Sequence, residues 1–583
     1  MALRIRNNKN IKGFQVKIDE INHSIKISQL ADDTTLYFNS KSEILLALNE
    51  IEIFGSFSGL IMNKDKTEGL WIGKLKHCKD KVGGIKWTDK PVKTLGIYFG
   101  HDKEECERLN WENKIEKINN LLLLWTKRNL TILGKILIIK SLIVPIFTYV
   151  ASACVVPEKY RKEIDSKCFK FIWNNKPDKV KRNTVVGKLG NGGLKMIDIQ
   201  SYFMSLKASW VSRLVSNQLV NWKVIPCKYF AKLGQKWLVF SQNLDNITVN
   251  KYAKQIPEFY GEVLRSWNKI GGGQTRTPLN FADVRKQIIC GNKFIKFDPK
   301  TLLFNNWINS DLIYVNDILD ENGEISHNFI LNRLNNKSNW ITEFTIMKKA
   351  IPKESVDIIK TENSNKSVVN ICKNYVLIKG NPYRFSILKN KFFYELLLNK
   401  KFTKPIGFNS WNTYLQKELP KCETVCYFIF NYLSENKLKV FRWKLLHFII
   451  PTKKLLLKWK IMKNSLCNLC NLVEDYSHYF RTCIFFKDFW GKIKELLKKS
   501  GIENDITLYH LVFGYKIFDK SYYDFNYFLT VIGFSIYKAY YISEQKTKKL
   551  DVYSLFVREY LQIYRGNEII QKSSFLKRLK NYL

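Results

Sequence analysis

Two adjacent carboxylates, Asp32 and Asp33, stand in a segment that alternates like a β-strand on both sides. Residues 30–38 read LADDTTLYF, so we predict a tight hairpin with Ala31, Asp32 and Asp33 at its tip. Like charges this close resist ionising together unless a divalent cation compensates them. Paired Mg²⁺ ions on carboxylates serve phosphoryl transfer by activating a hydroxyl and stabilising the leaving oxygen. The alternative is a solvated turn, which aspartate favours through hydrogen bonds to its own backbone.

A second group of candidate ligands lies towards the C-terminus, with the spacing Cys467-x2-Cys470-x7-His478-x4-Cys483. Two cysteines two residues apart can face one ion, and the histidine and third cysteine can complete a tetrahedron if the intervening residues loop back. The spacing predicts a structural Zn²⁺ site, and the alternative is a chance grouping of buried thiols with a lone histidine. The chain has 12 cysteines and no recognisable signal peptide, which favours a reducing compartment and metal binding over disulfides.

A basic and aromatic segment precedes this motif. Residues 441–463 read FRWKLLHFIIPTKKLLLKWKIMK and contain no acidic residue. Cations interleaved with aromatic rings suit phosphate contact combined with base stacking, although leucine and tryptophan at helical spacing would equally form a core face. The candidate nucleic-acid-binding residues in this segment are Arg442, Trp443, Lys444, Lys453, Lys454 and Lys458.

Composition supports a polyanionic partner. The chain has 583 residues, is 45% apolar and carries a formal net charge of +43. This length can bury sizeable cores, and the charge implies a polyanionic partner, of which nucleic acid is the obvious one. An AT-rich genome would also impose an excess of lysine, so the basicity is supporting evidence only.

The elements that would position these residues change type near residue 109, where the apolar spacing becomes helical. Ile115, Ile118 and Leu122 recur on one face, and a second helix is predicted from about Leu130 to Val156. Part of that second helix is apolar enough for a membrane span. Its lysine, proline and hydroxyl residues favour a kinked helix buried in protein, so we expect no membrane partner.

Four motifs in order resemble one polymerase family. They are Asn10-Ile11-Lys12-Gly13, the Leu-Ala-Asp-Asp run, Gly59 to Thr67 with its Asn-Lys-Asp-Lys-Thr end, and Lys93-Thr94-Leu95-Gly96-Ile97-Tyr98-Phe99-Gly100. Together with Asn191-Gly192-Gly193-Leu194-Lys195, they make residues 2–214 resemble the reverse transcriptase of LINE-type non-LTR retrotransposons. Leu30 stands where that family has tyrosine, which puts catalytic efficiency in doubt more than fold.

The resemblance implies roles for individual residues. Asp32 would be a Mg²⁺ ligand and Asp33 its weaker or structural partner. Lys66 would stabilise charge or act as general acid, and its alternative is a solvated strand-edge lysine. Residues 93–100 would grip the primer end, with Lys93 and Gly96 near the nucleic acid, and Lys127 and Arg128 would lie on a thumb beside the duplex.

The Asp pair comes early in the chain. The family's third catalytic carboxylate lies well upstream of the pair, whereas only Asp19 and Glu20 are acidic before Asp32. We therefore expect the C-terminal portion of a longer element protein, which binds nucleic acid but polymerises poorly or not at all on its own. Its missing N-terminal portion would be a partner.

The C-terminal motifs extend the resemblance, since an Arg-Trp-Lys-Leu-Leu helix precedes a Cys-Cys-His-Cys motif in the same family. There, this part helps to hold template RNA and target DNA. The resemblance thus covers both ends of the chain, while residues 216–440 match weakly.

The predicted fold class is α+β: a truncated right-hand polymerase palm, a helical thumb and a mostly helical C-terminal region with a zinc knuckle. The predicted domains are a partial palm (1–103), a thumb (104–215), a helical connector (216–440), the basic helix with the knuckle (441–500) and a C-terminal helical segment (501–583). Two functions remain open, an RNA-directed DNA polymerase fragment and a non-catalytic zinc-containing nucleic-acid-binding protein. Either would act inside the cell, in the nucleus and in cytoplasmic ribonucleoprotein.

Overall fold

The computed structural model of the protein describes most of the chain and is mostly helical. The described residues are 1–583 except 19–20, 217–219, 232, 234–237, 241–243, 273–276, 279, 299, 311, 335–338, 362–374, 380, 385–386, 402, 503–504 and 546–550.

The α-helices within these residues are α1 (Ala2–Asn7), α2 (Lys41–Ser58), α3 (Lys103–Thr126), α4 (Ile132–Ile138), α5 (Val144–Ala153), α6 (Glu158–Ile172), α7 (Arg182–Val186), α8 (Ile199–Val215), α9 (Val224–Ala231), α10 (Asn246–Ala253), α11 (Glu258–Ile270), α12 (Phe281–Arg285), α13 (Asn305–Asn309), α14 (His327–Leu334), α15 (Trp340–Ala350), α16 (Lys353–Thr361), α17 (Asn390–Asn399), α18 (Ile406–Leu415), α19 (Cys422–Tyr427), α20 (Asn436–Leu446), α21 (Lys453–Lys458), α22 (Lys487–Lys499), α23 (Leu508–Phe513), α24 (Tyr523–Gln545), α25 (Val552–Arg565), α26 (Glu568–Lys572) and α27 (Ser574–Tyr582).

The strands form small two-stranded sheets in the described part of the chain. They are β1 (Phe14–Ile18), β2 (Ile21–Ile25), β3 (Ile27–Leu30), β4 (Asp33–Leu36), β5 (Glu68–Gly69), β6 (Lys86–Trp87), β7 (Val92–Thr94), β8 (Ile97–Phe99), β9 (Lys296–Phe297), β10 (Lys300–Thr301), β11 (Tyr375–Ile378) and β12 (Asn381–Arg384). The pair β5–β6 is parallel, and the pairs β1–β2, β3–β4, β7–β8, β9–β10 and β11–β12 are antiparallel.

The predicted hairpin around the carboxylates forms, with one change in its strands. β3 pairs with β4 so that Leu30 faces Asp33, and Ala31, with φ of 52°, and Asp32 form the turn between them. The alternating sequence of residues 24–30 predicts a single strand, whereas the structure divides this stretch into β2 and β3 at Lys26. β2 pairs with β1 from Phe14 opposite Ile25 to Ile18 opposite Ile21. The sequence predicts a turn at residues 19–20 between these strands, and those two residues lie outside the described residues.

The hairpin β7–β8 turns on Leu95 and Gly96, which have φ values of 48° and 80°. Two successive positive φ angles define the two-residue turn whose twist matches that of the flanking strands. Glycine tolerates this conformation without steric cost, so the turn itself accounts for Gly96.

The two helices predicted after residue 109 are present. The first is α3, where Trp111, Ile115 and Ile118 are buried on one face. The second runs from Ile132 through a π-helical segment, Ile139–Ile143, to Ala153. This stretch is long and apolar enough to cross a membrane by length and composition, and 39% of its most apolar window is buried within the protein.

The chain forms two compact units, each assembled from separate stretches of sequence. The first contains residues 1–118, 146–163 and 199–399, and the second contains residues 119–145, 164–198 and 400–583. In the second unit, α20, α24 and α25 contribute Phe441, Phe528 and Phe556 to one large apolar core.

Candidate metal centre

The four predicted zinc ligands lie in the second unit, between α21 and α22. Cys467 begins a tight turn in which its backbone N–H donates to the Leu472 carbonyl (2.8 Å) and its carbonyl accepts from the Asn471 N–H (2.9 Å). Asn471 has φ of 59°, which lets the chain reverse directly after Cys470. The turn therefore brings the two cysteine side chains to the same side.

His478 and Cys483 lie at opposite ends of a π-helical segment, His478–Thr482. The Asp475 carboxylate accepts a hydrogen bond from the His478 backbone N–H (3.0 Å), and the Cys483 N–H donates to the His478 carbonyl (3.1 Å). A π-helical turn adds a residue to the ordinary helical turn, and such turns are frequent at functional sites. Here it places the histidine and the last cysteine beside the first two ligands.

The four side chains converge. Their ligand atoms, three Sγ atoms and one imidazole nitrogen, all lie within 4.8 Å of one another. Cys470 Sγ is 3.2 Å from His478 Nε2 and 4.0 Å from Cys483 Sγ. Ligands at about 2.0–2.3 Å from a tetrahedral zinc ion lie roughly 3.5–3.8 Å apart, so this donor set fits Zn²⁺.

Burial and hydrogen bonding also suit a closed structural site. Cys467, Cys483 and His478 are buried, and Cys470 is partly buried. A hydrogen bond from the Cys483 thiol, opposed by burial and assisted by the Leu469 backbone N–H, lowers the pKa of Cys467. The thiolate is the form that binds metal, so the site favours ligation.

Aromatic residues enclose the ligands. Tyr479 stacks on Tyr540 of α24 with ring centroids 3.9 Å apart, and the Tyr540 hydroxyl lies 3.8 Å from Cys467 Sγ. Trp490 of α22 donates its indole N–H to the Phe480 carbonyl (3.1 Å). The ligand loop is thereby held against the core of the second unit.

Glu474, between the second and third ligands, is a positioning residue that the sequence reasoning missed. It is buried, its carboxylate accepts from the Lys453 backbone N–H (2.9 Å), and its carbonyl accepts from the Lys454 N–H (3.0 Å). Glu474 thus attaches the first turn of α21 to the ligand loop. The sequence feature that could have indicated this role is the acidic pair Glu474-Asp475, which lies close to the basic segment of residues 441–463.

Comparison with known families agrees with this geometry. Residues 408–490 match a family model described as zinc-binding in reverse transcriptase, and all four ligands lie within the match. The match supports a retroelement protein related to reverse transcriptases. It covers the helices that surround the ligands, from α18 to the beginning of α22, as well as the ligand loop itself.

Two residues predicted to contact nucleic acid are instead in the core. Arg442 and Trp443 on α20 have exposures of 1% and 0%. The guanidinium of Arg442 donates to the Leu511 carbonyl and lies over the Phe428 ring, and burial lowers its pKa to about 9. The core-face alternative describes these two residues, because helical spacing of large side chains is set by packing.

The four lysines predicted in the same segment differ in exposure. Lys453 is buried, and burial lowers the pKa of the half-buried Lys444. Lys454 and Lys458 are exposed, and the ammonium of Lys454 lies 3.9 Å from the Asp475 carboxylate. Contact with a polyanion therefore remains a prediction chiefly for Lys454 and Lys458.

The turn at Gly192, Gly193 and Leu194 is held by hydrogen bonds to α20 and to the residue that follows it, within the second unit. The Gly192 carbonyl accepts from Trp443 Nε1 (2.8 Å) and from His447 Nε2 (2.7 Å). Burial lowers the pKa of His447 to about 4, so its ring is neutral near pH 7 and donates this hydrogen bond. Gly192 has φ of 81°, and a Cβ there would lie 2.7 Å from Pro405. The positive φ and the close approach of Pro405 explain why residue 192 is a glycine.

The carboxylate pair has a different environment in the first unit. Asp32 and Asp33 are both exposed on the β3–β4 hairpin. Within the described residues, the Cys467 cluster is the only group of three or more histidine, cysteine or acidic side chains close enough to hold one metal ion. Asp19 and Glu20 lie outside the described residues. In the part of the chain that the structure describes, the sequence signal for a metal is therefore matched by assembled ligands at the cysteine cluster and not at the Asp pair.

The remaining predicted residues lie at the surface. Lys66 is exposed in a turn where its N–H donates to the Asn63 side chain (3.0 Å), and not on a strand edge. Lys93 and Gly96 are exposed on the β7–β8 hairpin, and Lys93 Nζ is 5.6 Å from the Tyr98 ring centroid. Lys127 and Arg128 are exposed just after α3. Their proposed contacts with nucleic acid remain predictions.

Proposed function

We propose that this protein is the reverse transcriptase component of a LINE-type non-LTR retrotransposon, with a structural zinc site that supports binding of template RNA and target DNA. The observation that carries the proposal is the convergence of Cys467, Cys470, His478 and Cys483 inside the segment that matches a zinc-binding model of reverse transcriptases. Zinc held by these four side chains would stabilise the fold of the loop between α21 and α22.

The catalytic part of the proposal concerns Asp32, Asp33 and Lys66. The two carboxylates would hold Mg²⁺, which supplies charge compensation for phosphoryl transfer when bound. The exposed position of Lys66 would allow its ammonium to meet the negative charge that develops on the departing pyrophosphate. Extension of a DNA 3′-hydroxyl on RNA would also need a third carboxylate.

One observation favours a second function, a non-catalytic zinc-containing nucleic-acid-binding protein. Asp32 and Asp33 lie exposed on an isolated two-stranded sheet, and no third ligand accompanies them in the described part of the chain. Under this function the hairpin is a scaffold, while the zinc segment and the net charge of +43 carry the binding.

Two measurements on the full chain test the proposal. The first is zinc content by mass spectrometry, for which we expect one zinc ion per chain, and a zinc-free folded protein would refute the metal site. The second is primer extension on an RNA template with Mg²⁺, comparing the protein with the double variant Asp32→Ala, Asp33→Ala.

The extension result separates the two functions. Extension that is lost in the double variant would establish a complete polymerase site in this chain. If neither protein extends the primer but both bind the primer–template, the non-catalytic function is favoured. Loss of binding in the double variant would contradict both, because neither function assigns the binding to these two carboxylates alone.

A further inference from the structure

A large cleft lies in the second unit, beside the zinc loop and separate from the ligands. It has a volume of about 980 Å³ and is lined by three stretches of chain, residues 178–184, 406–414 and 447–459. This volume is at the upper end of the roughly 300–1,000 Å³ found for small-molecule sites. The cleft therefore has room for a ligand larger than a single small metabolite.

The charge of the cleft wall is mostly positive. Lys179, Lys181, Arg182 and Lys458 line it, and Asp178 is the acidic residue of the lining. Arg182 is neutralised in place, because its guanidinium donates to the carboxylates of Asp178 (2.7 Å) and Asp165 (2.6 Å).

The three lysines differ from Arg182 in having no such partner. Lys179, Lys181 and Lys458 form no ion pair with any of the residues that the structure describes, and all three are exposed. Although the Lys179 side chain as a whole is exposed, local desolvation of its ammonium group, followed by the positive charges of Lys444 and Lys176, lowers its pKa. An unneutralised cluster of ammonium groups at the wall of a concave site attracts an anion.

The cleft lining also includes an aromatic ring, that of Trp459. Trp459, at the end of α21, is half-buried, and among the described residues its indole stacks on no other ring and donates no hydrogen bond. By contrast, the other rings of the lining are engaged, since Phe448 packs on Trp411 and Tyr476, and His447 bonds to Gly192. Trp459 is therefore the ring available for stacking.

The zinc loop positions two sides of this cleft. The Tyr414 hydroxyl accepts a hydrogen bond from the Ser477 N–H (2.9 Å), one residue before the ligand His478. On the other side, Glu474 holds the first turn of α21, the helix that carries Lys458 and leads into Trp459. The loop that carries the four ligands thus forms hydrogen bonds with both walls of the cleft.

We propose that this cleft binds single-stranded polynucleotide, with Lys179, Lys181 and Lys458 contacting phosphates and Trp459 stacking on a base. Cations that follow a backbone, combined with an aromatic platform for bases, are the shared chemistry of single-strand binding sites. A duplex does not suit the cleft, since its bases are stacked on one another and cannot reach the Trp459 ring. The inference rests on the proposed function, and it assigns that binding to one place on the protein.

The test uses the zinc-loaded full chain and fluorescein-labelled rU12, dT12 and a 12-base-pair duplex. The cleft variant is Lys179→Ala, Lys458→Ala. The matched control is Lys494→Ala, Lys498→Ala on α22, which removes the same charge from exposed positions outside the cleft lining. A third variant, Trp459→Ala, removes the ring, and Trp459→Phe retains a stacking surface. Zinc content and circular dichroism of each variant verify its fold.

We expect the cleft variant to bind at least one single strand about 10-fold more weakly, while the control changes binding about 2-fold or less. Trp459→Ala should weaken binding of the same strand by about 5-fold or more, and Trp459→Phe should retain most of the binding that Trp459→Ala loses. If the cleft variant loses binding to rU12 alone, the cleft binds RNA, and if it loses binding to dT12 alone, the cleft binds DNA. Loss of binding to both shows that the cleft accepts either strand.

Three results would overturn the assignment. They are equal losses in the cleft and control variants, equal losses for duplex and single strands, and unchanged binding in Trp459→Ala. Each can occur while the parent protein still holds zinc and binds nucleic acid, in which case the proposed function stands and the cleft assignment alone fails. Absence of both zinc and nucleic-acid binding in the parent protein would refute the proposed function as well.

Discussion

The Asp32–Asp33 hairpin and the Cys467–Cys483 loop both present ligand residues, yet their surroundings differ. The hairpin is exposed on two short strands, whereas three of the four ligands of the loop are buried and their ligand atoms lie within 4.8 Å of one another. A structural zinc site closes over its ion and takes its ligands from a short segment. A two-metal polymerase site takes carboxylates from separate strands, so one local motif supplies only part of it.

The largest effect should come from removing two zinc ligands. We expect Cys467→Ser, Cys470→Ser to lose bound zinc and to unfold the second unit at a much lower temperature, because zinc binding and folding of such loops are coupled. Zinc content and thermal unfolding measure the change. The control is Cys78→Ser, a partly exposed cysteine outside the cluster, which should keep its zinc. If the double variant keeps its zinc, these cysteines are not ligands, and the loop would no longer differ from the hairpin in having an assembled metal site.

A smaller effect is expected at Glu474. Glu474→Ala leaves the Lys453 N–H without its buried acceptor, so we expect a loss of about 1–3 kcal/mol in the free energy of unfolding. Denaturant titration of the zinc-loaded protein gives this value. Glu474→Gln keeps an acceptor oxygen and should lose less. Equal losses in both variants would show that the carboxylate charge, and not the hydrogen bond, matters.

The pH dependence tests the packing of α20. His447 has a folded pKa of about 4, below its value of 6.5 in the unfolded chain. A lowered histidine pKa stabilises the fold above pH 6.5, and this contribution is lost as the pH falls towards 4. Between pH 7.5 and 5.5 the protein should lose about 1 kcal/mol more stability than His447→Gln, which can donate to Gly192 but does not titrate. Parallel stability curves for the two proteins would contradict a buried neutral ring.

The smallest effect on stability is expected at the hairpin. Asp32→Ala, Asp33→Ala changes two exposed side chains, so the free energy of unfolding should stay within about 0.5 kcal/mol. Chemical denaturation of this variant and of Cys467→Ser, Cys470→Ser gives the two losses in the free energy of unfolding that are to be compared. A loss of several kcal/mol would mean that the carboxylates serve the fold, which would weaken the metal-ligand proposal for them.

Sequence alone could predict features that depend on neighbouring residues. The spacing of Cys467, Cys470, His478 and Cys483 was sufficient because all four lie within 17 residues, and strand alternation was sufficient for the hairpin at Ala31 and Asp32. The presence of the ligand cluster and of this hairpin does not test the predicted palm and thumb, which remain predictions.

Features that depend on distant segments could not be predicted in this way. A basic and aromatic pattern does not distinguish an exposed face from a packed one, so the burial of Arg442 and Trp443 became visible only in the folded chain. The cleft combines residues 178–184 with residues 406–414 and 447–459, and no local pattern relates these stretches. The same separation concealed the two hydrogen bonds that the Gly192 carbonyl accepts.

Those two hydrogen bonds have a consequence for synthesis on the ribosome. Gly192 is made 251 and 255 residues before the two side chains that bond to it. At about 5–20 residues per second, its partners arrive roughly 13–50 s later. During that interval Val185, Val186 and Leu194, which are buried in the finished protein, lack the helices of residues 400–583. The early segments of the second unit would therefore offer apolar side chains to co-translational chaperones during that interval.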